Sequence, residues 1–169
     1  MIHAPAYDDR ITIRAMTEAD AAFDRQLFDE YRGAQFAPLG LNVPLLAVLL
    51  DQQFRTQQLG YRTAFPNVEN SVIDQAGTTV GRMTTAFRAR HDSPSLHVVD
   101  LLVSAATRGR GIGSAVMRHL DDVALARGAT RLSLSVLISN AGARRLYERL
   151  GYRAIDDDGV RITMAKELA

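Results

Sequence analysis

Residues 108–114 read Arg108-Gly109-Arg110-Gly111-Ile112-Gly113-Ser114, and three features meet in that stretch. It follows the apolar run 96–103, which reads as a buried strand. It opens residues 111–127, whose apolar positions recur at helical spacing. A glycine-rich turn from strand into helix exposes backbone N–H groups at the positive end of the helix dipole, where an anion fits well. Arg108 and Arg110 flank those donors and add charge and forked hydrogen bonding. The pattern predicts a site for a phosphorylated small molecule.

Elimination narrows the choice. A P-loop needs a lysine after its last glycine, and no lysine stands near this loop. The dinucleotide fingerprint starts at Gly109 and Gly111, but Ser114 stands where its third glycine belongs. What fits is Arg-x-x-Gly-x-Gly across Arg108, Gly111 and Gly113. That pattern resembles the pyrophosphate loop of the GNAT superfamily, the acetyl-CoA-dependent N-acetyltransferases. Glycines that only permit a tight turn and a helix start would read the same way, so the loop needs support from elsewhere.

The support lies downstream. Gly128 supplies a helix stop, and residues 131–138 (RLSLSVLI) read as the next strand. Then come Asn140-Ala-Gly-Ala-Arg-Arg-Leu146-Tyr147-Glu148-Arg149-Leu150-Gly151-Tyr152. This resembles a second GNAT signature, an Asn followed by a short helix carrying Leu-Tyr-Glu-Arg/Lys-x-Gly-Phe/Tyr. Asn140 is a natural N-cap, Ala143, Leu146 and Leu150 form an apolar stripe, and Gly151 closes the helix. The resemblance covers residues 96–155, and within the superfamily the chain looks like an uncharacterised bacterial-type subgroup.

Composition bounds the rest. A chain of 169 residues with 47% hydrophobic content suits one domain, 1–169. With 20 basic and 19 acidic residues the net charge is +1, so no global field points to nucleic acid. With no cysteine there is no disulfide, thiolate metal site or thiol nucleophile. His3, His91 and His119 lack the spacing of metal ligands, so no metal is expected. The first residues lack the basic start and apolar core of a signal peptide. The greasiest segment, 41–50, is far short of the roughly 20 residues a membrane span needs. A soluble, cytoplasmic protein with no membrane contact is the expectation, and a homodimer is compatible with it.

Residues 11–14 alternate as a strand, and Thr17 offers an N-cap for a helix to about Tyr31. Residues 33–42 read as a loop, and 44–59 as a helix ending at Gly60. Residues 71–74 and 79–88 read as a hairpin, Asp92-Ser-Pro94-Ser as the next turn, and 160–165 as a closing strand. The order β-α-α-β-β-β-α-β-α-β-β is an α/β (α+β) arrangement. It matches what the resemblance implies: a mixed, mostly antiparallel central sheet with helices on both faces.

The resemblance implies direct acyl transfer from the acetyl-CoA thioester to a primary amine of a small molecule or peptide. The coenzyme's diphosphate would meet Arg108, Gly109, Arg110, Gly111, Ile112, Gly113 and Ser114. Its pantetheine arm would lie along the strand as an added strand does, on the backbone of Leu101, Leu102 and Val103. Those backbone groups would also polarise the acetyl carbonyl. Asn140 matches the position that hydrogen-bonds the arm, although helix capping explains it equally. Tyr147 matches the tyrosine near the coenzyme sulfur, a general acid for the leaving thiolate, the alternative being aromatic packing.

Two general-base candidates precede the loop. His97 has an ordinary pKa of about 6.5, suited to the task, and also reads as a plain strand-end histidine. Asp100 interrupts an apolar run, which is costly unless its carboxylate is hydrogen-bonded or at work. Strand alternation sets the two on opposite faces. The acceptor pocket is expected around residues 33–68, where Asp51, Arg55 and Arg62 are the charges and Phe36, Phe54, Tyr61 and Phe65 the aromatics. A non-catalytic acyl-CoA-binding or sensing module is the competing reading. It would keep the loop and Asn140 without needing Tyr147 or a base.

Overall fold

The computed structural model describes residues 11–89 and 93–169. Seven strands form one sheet in the order β1-β2-β3-β4-β5-β7-β6. They are β1 (Ile11–Ala15), β2 (Val68–Gln75), β3 (Thr78–Arg88), β4 (Ser95–Val103), β5 (Arg131–Leu137), β6 (Arg153–Asp157) and β7 (Arg161–Glu167). Helices α1 (Ala21–Phe36) and α2 (Val43–Ala64) precede β2, α3 (Ile112–Ala126) joins β4 to β5, and α4 (Ala141–Arg149) joins β5 to β6. The element order and the mixed sheet are as the sequence predicts. Every described pairing is antiparallel except β4 with β5. The expectations for residues 1–10, for His91 and for the turn at Asp92 fall at least in part outside the described residues.

Local chemistry explains most boundaries. Ala76 and Gly77 both take positive φ, 49° and 82°, which gives the β2–β3 hairpin the turn that matches strand twist. Asn42 caps α2 by accepting from Leu45 N at 3.0 Å. Two helix ends differ from expectation. Helix α1 runs through Gly33 to Phe36, and α2 runs through Gly60 to Ala64. A glycine costs about 1 kcal/mol inside a helix, and packing between α1 and α2 outweighs that here. The edge between Phe28 and Phe54, with ring centroids 5.0 Å apart, is one such contact.

The larger core packs α3 against the sheet through Ile112, Val116, Met117, Leu120 and Ala124, facing Ile73, Met83, Leu96, Val98, Leu132 and Leu134. Helix α4 joins that face through Ala143, Tyr147 and Leu150. On the other face Arg82, in β3, meets Asp24 of α1. The register between β3 and β4 slips by one residue: Thr85 pairs with Val98 but Thr84 with Asp100. Val99 is therefore a β-bulge, and side-chain alternation changes parity across it. His97, Asp100 and Leu102 stand opposite Ala86, Thr84 and Arg82, all on the α1–α2 face. The expectation that His97 and Asp100 face opposite ways is overturned by that extra residue.

Candidate active site

The site begins where β4 and β5 part. Their parallel pairing runs from Ser95–Arg131 to Val98–Leu134 and goes no further, although both strands continue. Beyond the bulge a gap opens. Ser104 N donates to Val80 O at 2.8 Å, so by antiparallel alternation Leu102 and Asp100 exchange bonds with β3. The backbone groups of Leu101 and Val103 are turned toward the gap. Val103 O there accepts from Arg108 Nε at 2.9 Å, which ties the loop to the end of the strand.

A cleft of about 860 Å³ follows this gap to the start of α3. Its walls include Leu101, Leu102, Val103, Arg108, Gly109, Gly111, Ile112, Gly113, Ser114, Asn140 and Tyr147, all expected from sequence. Arg110 is exposed and is not among them. Gly109 and Gly111 have φ of 74° and 81°, a conformation that favours glycine and turns the loop into the helix. No side chain caps α3 and no acidic residue lies in its first turn, so its leading N–H groups face the cleft unneutralised. Gly113 lacks a side chain for a packing reason as well, since a Cβ there would stand 3.3 Å from Leu146 Cδ2.

A second cleft of about 250 Å³ lies on the α1–α2 side of the gap. Tyr31, Leu101, Leu102, Leu137, Asn140, Ala143 and Tyr147 line both, so the two communicate. Asn140 Oδ1 caps α4 by accepting from Ala143 N at 3.1 Å. The Tyr147 hydroxyl is pushed up to about 12, first by burial, then by the Asp100 carboxylate and Tyr31. It therefore stays protonated at neutral pH.

Asp100 lines the second cleft and His97 lines neither. Asp100 Oδ2 is 3.0 Å from Arg82 Nη2, and Arg82 Nε is 2.8 Å from Asp24 Oδ1. Tyr61 lines the same cleft, and burial first, then the Asp100 carboxylate, holds its hydroxyl above the usual tyrosine range. Burial raises Asp24 despite the neighbouring Arg82. Arg82 is only 2% exposed, so removing it leaves two carboxylates without their cation. Arg82→Met is expected to cost about 3 kcal/mol of stability. Chemical denaturation should show Asp24→Asn recovering part of that loss in the double variant. Equal stability of Arg82→Met and wild type would refute the argument.

His97 is packed away from the clefts. Its ring stacks on Phe65 at 5.2 Å between centroids, and its Nδ1 shares a 2.9 Å hydrogen bond with Ser133 Oγ. Burial first, and Arg88 second, pull its pKa down to about 4. The folded state thus binds the proton later than the unfolded chain, whose ordinary value is about 6.5. Stability should fall as pH drops from about 6.5 to 4, by about 3 kcal/mol from this group, and level off below. Urea midpoints for His97→Gln should lose less over that window than wild type. Parallel losses in both would sink the claim.

Sequence reasoning missed Tyr31, Arg32, Gln57 and Arg161, which line the second cleft, and the Arg82–Asp24 support of Asp100. Arg82 carried a usable signal: like Asp100, it is a charge inside an otherwise weakly polar strand. Of the aromatics expected around an acceptor, Tyr61 lines the cleft, whereas Phe54 and Phe65 pack beneath Arg25 and Arg88. Asp51 is held by Arg25 and Arg55. Among the described residues no group of His, Cys, Asp and Glu is placed to hold a metal ion, and no helix is long and apolar enough to cross a membrane. His3 and His91 lie outside the described residues.

Residues 42–152 match the acetyltransferase (GNAT) family, and the chain belongs to that family. A stretch of 57 residues is 44% identical to streptothricin acetyltransferase of Streptomyces lavendulae, covering 34% of this chain and 30% of that protein. Another 57-residue match is 39% identical to thialysine N-epsilon-acetyltransferase of Bos taurus, covering 34% of each. The matched region therefore spans about a third of these two relatives. The PaiA N-acetyltransferase of Thermoplasma acidophilum, solved in complex with coenzyme A, shares the fold with a TM-score of 0.70 at 14% identity, covering 93% of this chain and 98% of that one.

Proposed function

We propose that this protein is an acetyl-CoA-dependent N-acetyltransferase that moves the acetyl group directly to a primary amine of a small molecule or peptide. The observation that carries the reading is the gap between β4 and β5, with the uncapped α3 N-terminus at one end and a second cleft opening on the other side. The α3 N–H groups and Arg108 would hold the coenzyme diphosphate. Leu101 and Val103 would bond the pantetheine arm along the unpaired edge of β4, with Asn140 alongside. Acetyl-CoA supplies the activated thioester.

The remaining work falls to side chains. Asp100 faces the acceptor cleft and would take the proton from the incoming ammonium, directly or through water. Backbone N–H groups beside the gap would stabilise charge developing on the carbonyl oxygen. The new N–C bond forms as the C–S bond breaks; Tyr147 would give its proton to the departing sulfur, and the second proton shed by the acylated nitrogen would return to the Tyr147 oxygen, directly or through water. His97 is the weaker base candidate because it lines neither cleft. The adjoining cleft, with Asp100 held ready by Arg82, favours an enzyme over a sensing module. Location in the cytoplasm and assembly as a homodimer belong to the same reading and rest on the sequence alone.

The test is thiol release from acetyl-CoA against a panel of amines, amino acids and peptides. Acceptor-dependent release supports transfer. Tight binding of coenzyme with only slow, acceptor-independent hydrolysis would favour the sensing module.

A further inference from the structure

The acceptor cleft carries charges that transfer to a bare amine does not require. Arg32 enters its wall from α1 and Arg161 from the start of β7, while among the described residues Asp100 is its one carboxylate. Neither arginine makes an ion pair among the described residues. Arg32 Nη1 donates to the neutral Gln35 carboxamide at 2.9 Å, and its buried Nε has no hydrogen-bond partner. The buried Gln57 Oε1, in the same cleft, is also without a partner. With no carboxylate set against either guanidinium among the described residues, a ligand that brings acceptor oxygens into the cleft would meet charge the fold leaves uncompensated.

The negative side is separate. Asp24, Arg82 and Asp100 form a chain of two carboxylates around one guanidinium, which leaves one negative charge for an ammonium when both acids are ionised. One wall thus suits a cation and two arginines suit a planar anion, which guanidinium forks bind in two-point fashion. A polyamine would set a second cation against Arg32 and Arg161. A simple hydrophobic amine would leave both unmet.

We propose that the acceptor is a small zwitterion, an amino acid or amino-acid-like amine. Its carboxylate is held by Arg32 and Arg161, and its amine faces Asp100. This rests on the acetyl-transfer reading above and adds the class of acceptor to it.

The experiment uses α- and ω-amino acids, each beside its carboxamide, with diamines of matched length. Thiol release at saturating acetyl-CoA gives kcat/KM, and calorimetry into coenzyme-saturated protein gives binding without turnover. The carboxylate form should exceed its carboxamide by about 100-fold in kcat/KM, mostly through KM. Arg161→Gln and Arg32→Gln, each checked for folding by melting, should shrink that ratio toward one, and Arg161→Lys should restore part of it. Equal use of both forms, or preference for diamines, overturns the zwitterion and leaves acetyl transfer standing. Carboxylate-dependent binding with no turnover of any acceptor supports the pocket assignment and overturns transfer. An unchanged ratio in both glutamine variants, or no binding and no turnover at all, overturns the proposal.

Discussion

Gly111→Ala combined with Gly113→Ala is expected to abolish coenzyme A binding, a loss of at least about 1,000-fold, in a protein that still folds. Gly111 has a φ of 81°, where an alanine costs about 1–2 kcal/mol. At position 113 the added Cβ meets Leu146 Cδ2 at 3.3 Å, and that flexible side-chain end can yield by a few tenths of an ångström. The structural cost is therefore a lower melting temperature and no collapse. The binding cost is expected to be larger, because in the proposed reading diphosphate oxygens approach the uncapped N–H groups of α3, and side chains added to its first turn would crowd that approach. Each charge-assisted bond lost is worth about 1.5–3 kcal/mol, so three suffice for the predicted loss. Arg108→Ala should weaken binding less and mainly at low salt, since an exposed charge is screened. Arg110→Ala should matter least, because Arg110 is absent from the cleft wall. Undiminished affinity by calorimetry in the folded double variant would show that the diphosphate lies elsewhere.

The contrast between what sequence predicted and what it missed follows the range of the interactions involved. Gly128 and Gly151 end their helices with φ of 75° and 91°, and Asn140 starts one. Each is a local event, readable from a few neighbours. Gly33 and Gly60 carry the same local signal but sit inside helices, because contacts between α1 and α2 outweigh propensity. The bulge at Val99 has no local mark at all. It exists through the register with β3, and it brings Asp100 to the face of α1 and α2. Asp100 and Arg82 each stand out as charges in strands, yet their pairing spans 18 positions and two strands. Arg32 and Arg161 meet the same cleft from elements 129 positions apart by number, 161 against 32, and no spacing rule joins them. The cleft at the start of α3 is built from one contiguous loop and one strand edge, which is a local pattern. The second cleft, where the acceptor is proposed to bind, is assembled by tertiary packing, so no local pattern marks it.

Tyr147→Phe separates binding from chemistry. Phenylalanine removes one oxygen and keeps the ring, so its contact with Tyr152, at 5.9 Å between centroids, should survive. The backbone of residue 147 also stays in place, where Tyr147 O accepts from Tyr152 N and Leu150 N at 3.0 Å each. Coenzyme affinity should accordingly change little, because in the proposed reading strand backbone holds the arm and α3 the diphosphate. Turnover should fall by about 10²–10⁴-fold if the hydroxyl protonates the departing thiolate. The hydroxyl is suited to that role because burial and the Asp100 carboxylate push its pKa up to about 12, which keeps the proton available throughout the neutral range. A coenzyme thiol is already a good leaving group and water can reach an open cleft, which sets the lower end of the range. The comparison requires a productive acceptor and single-turnover conditions, so that the chemical step and not product release is read. An unchanged single-turnover rate would remove the acid role and leave Tyr147 as a packing residue between the two clefts.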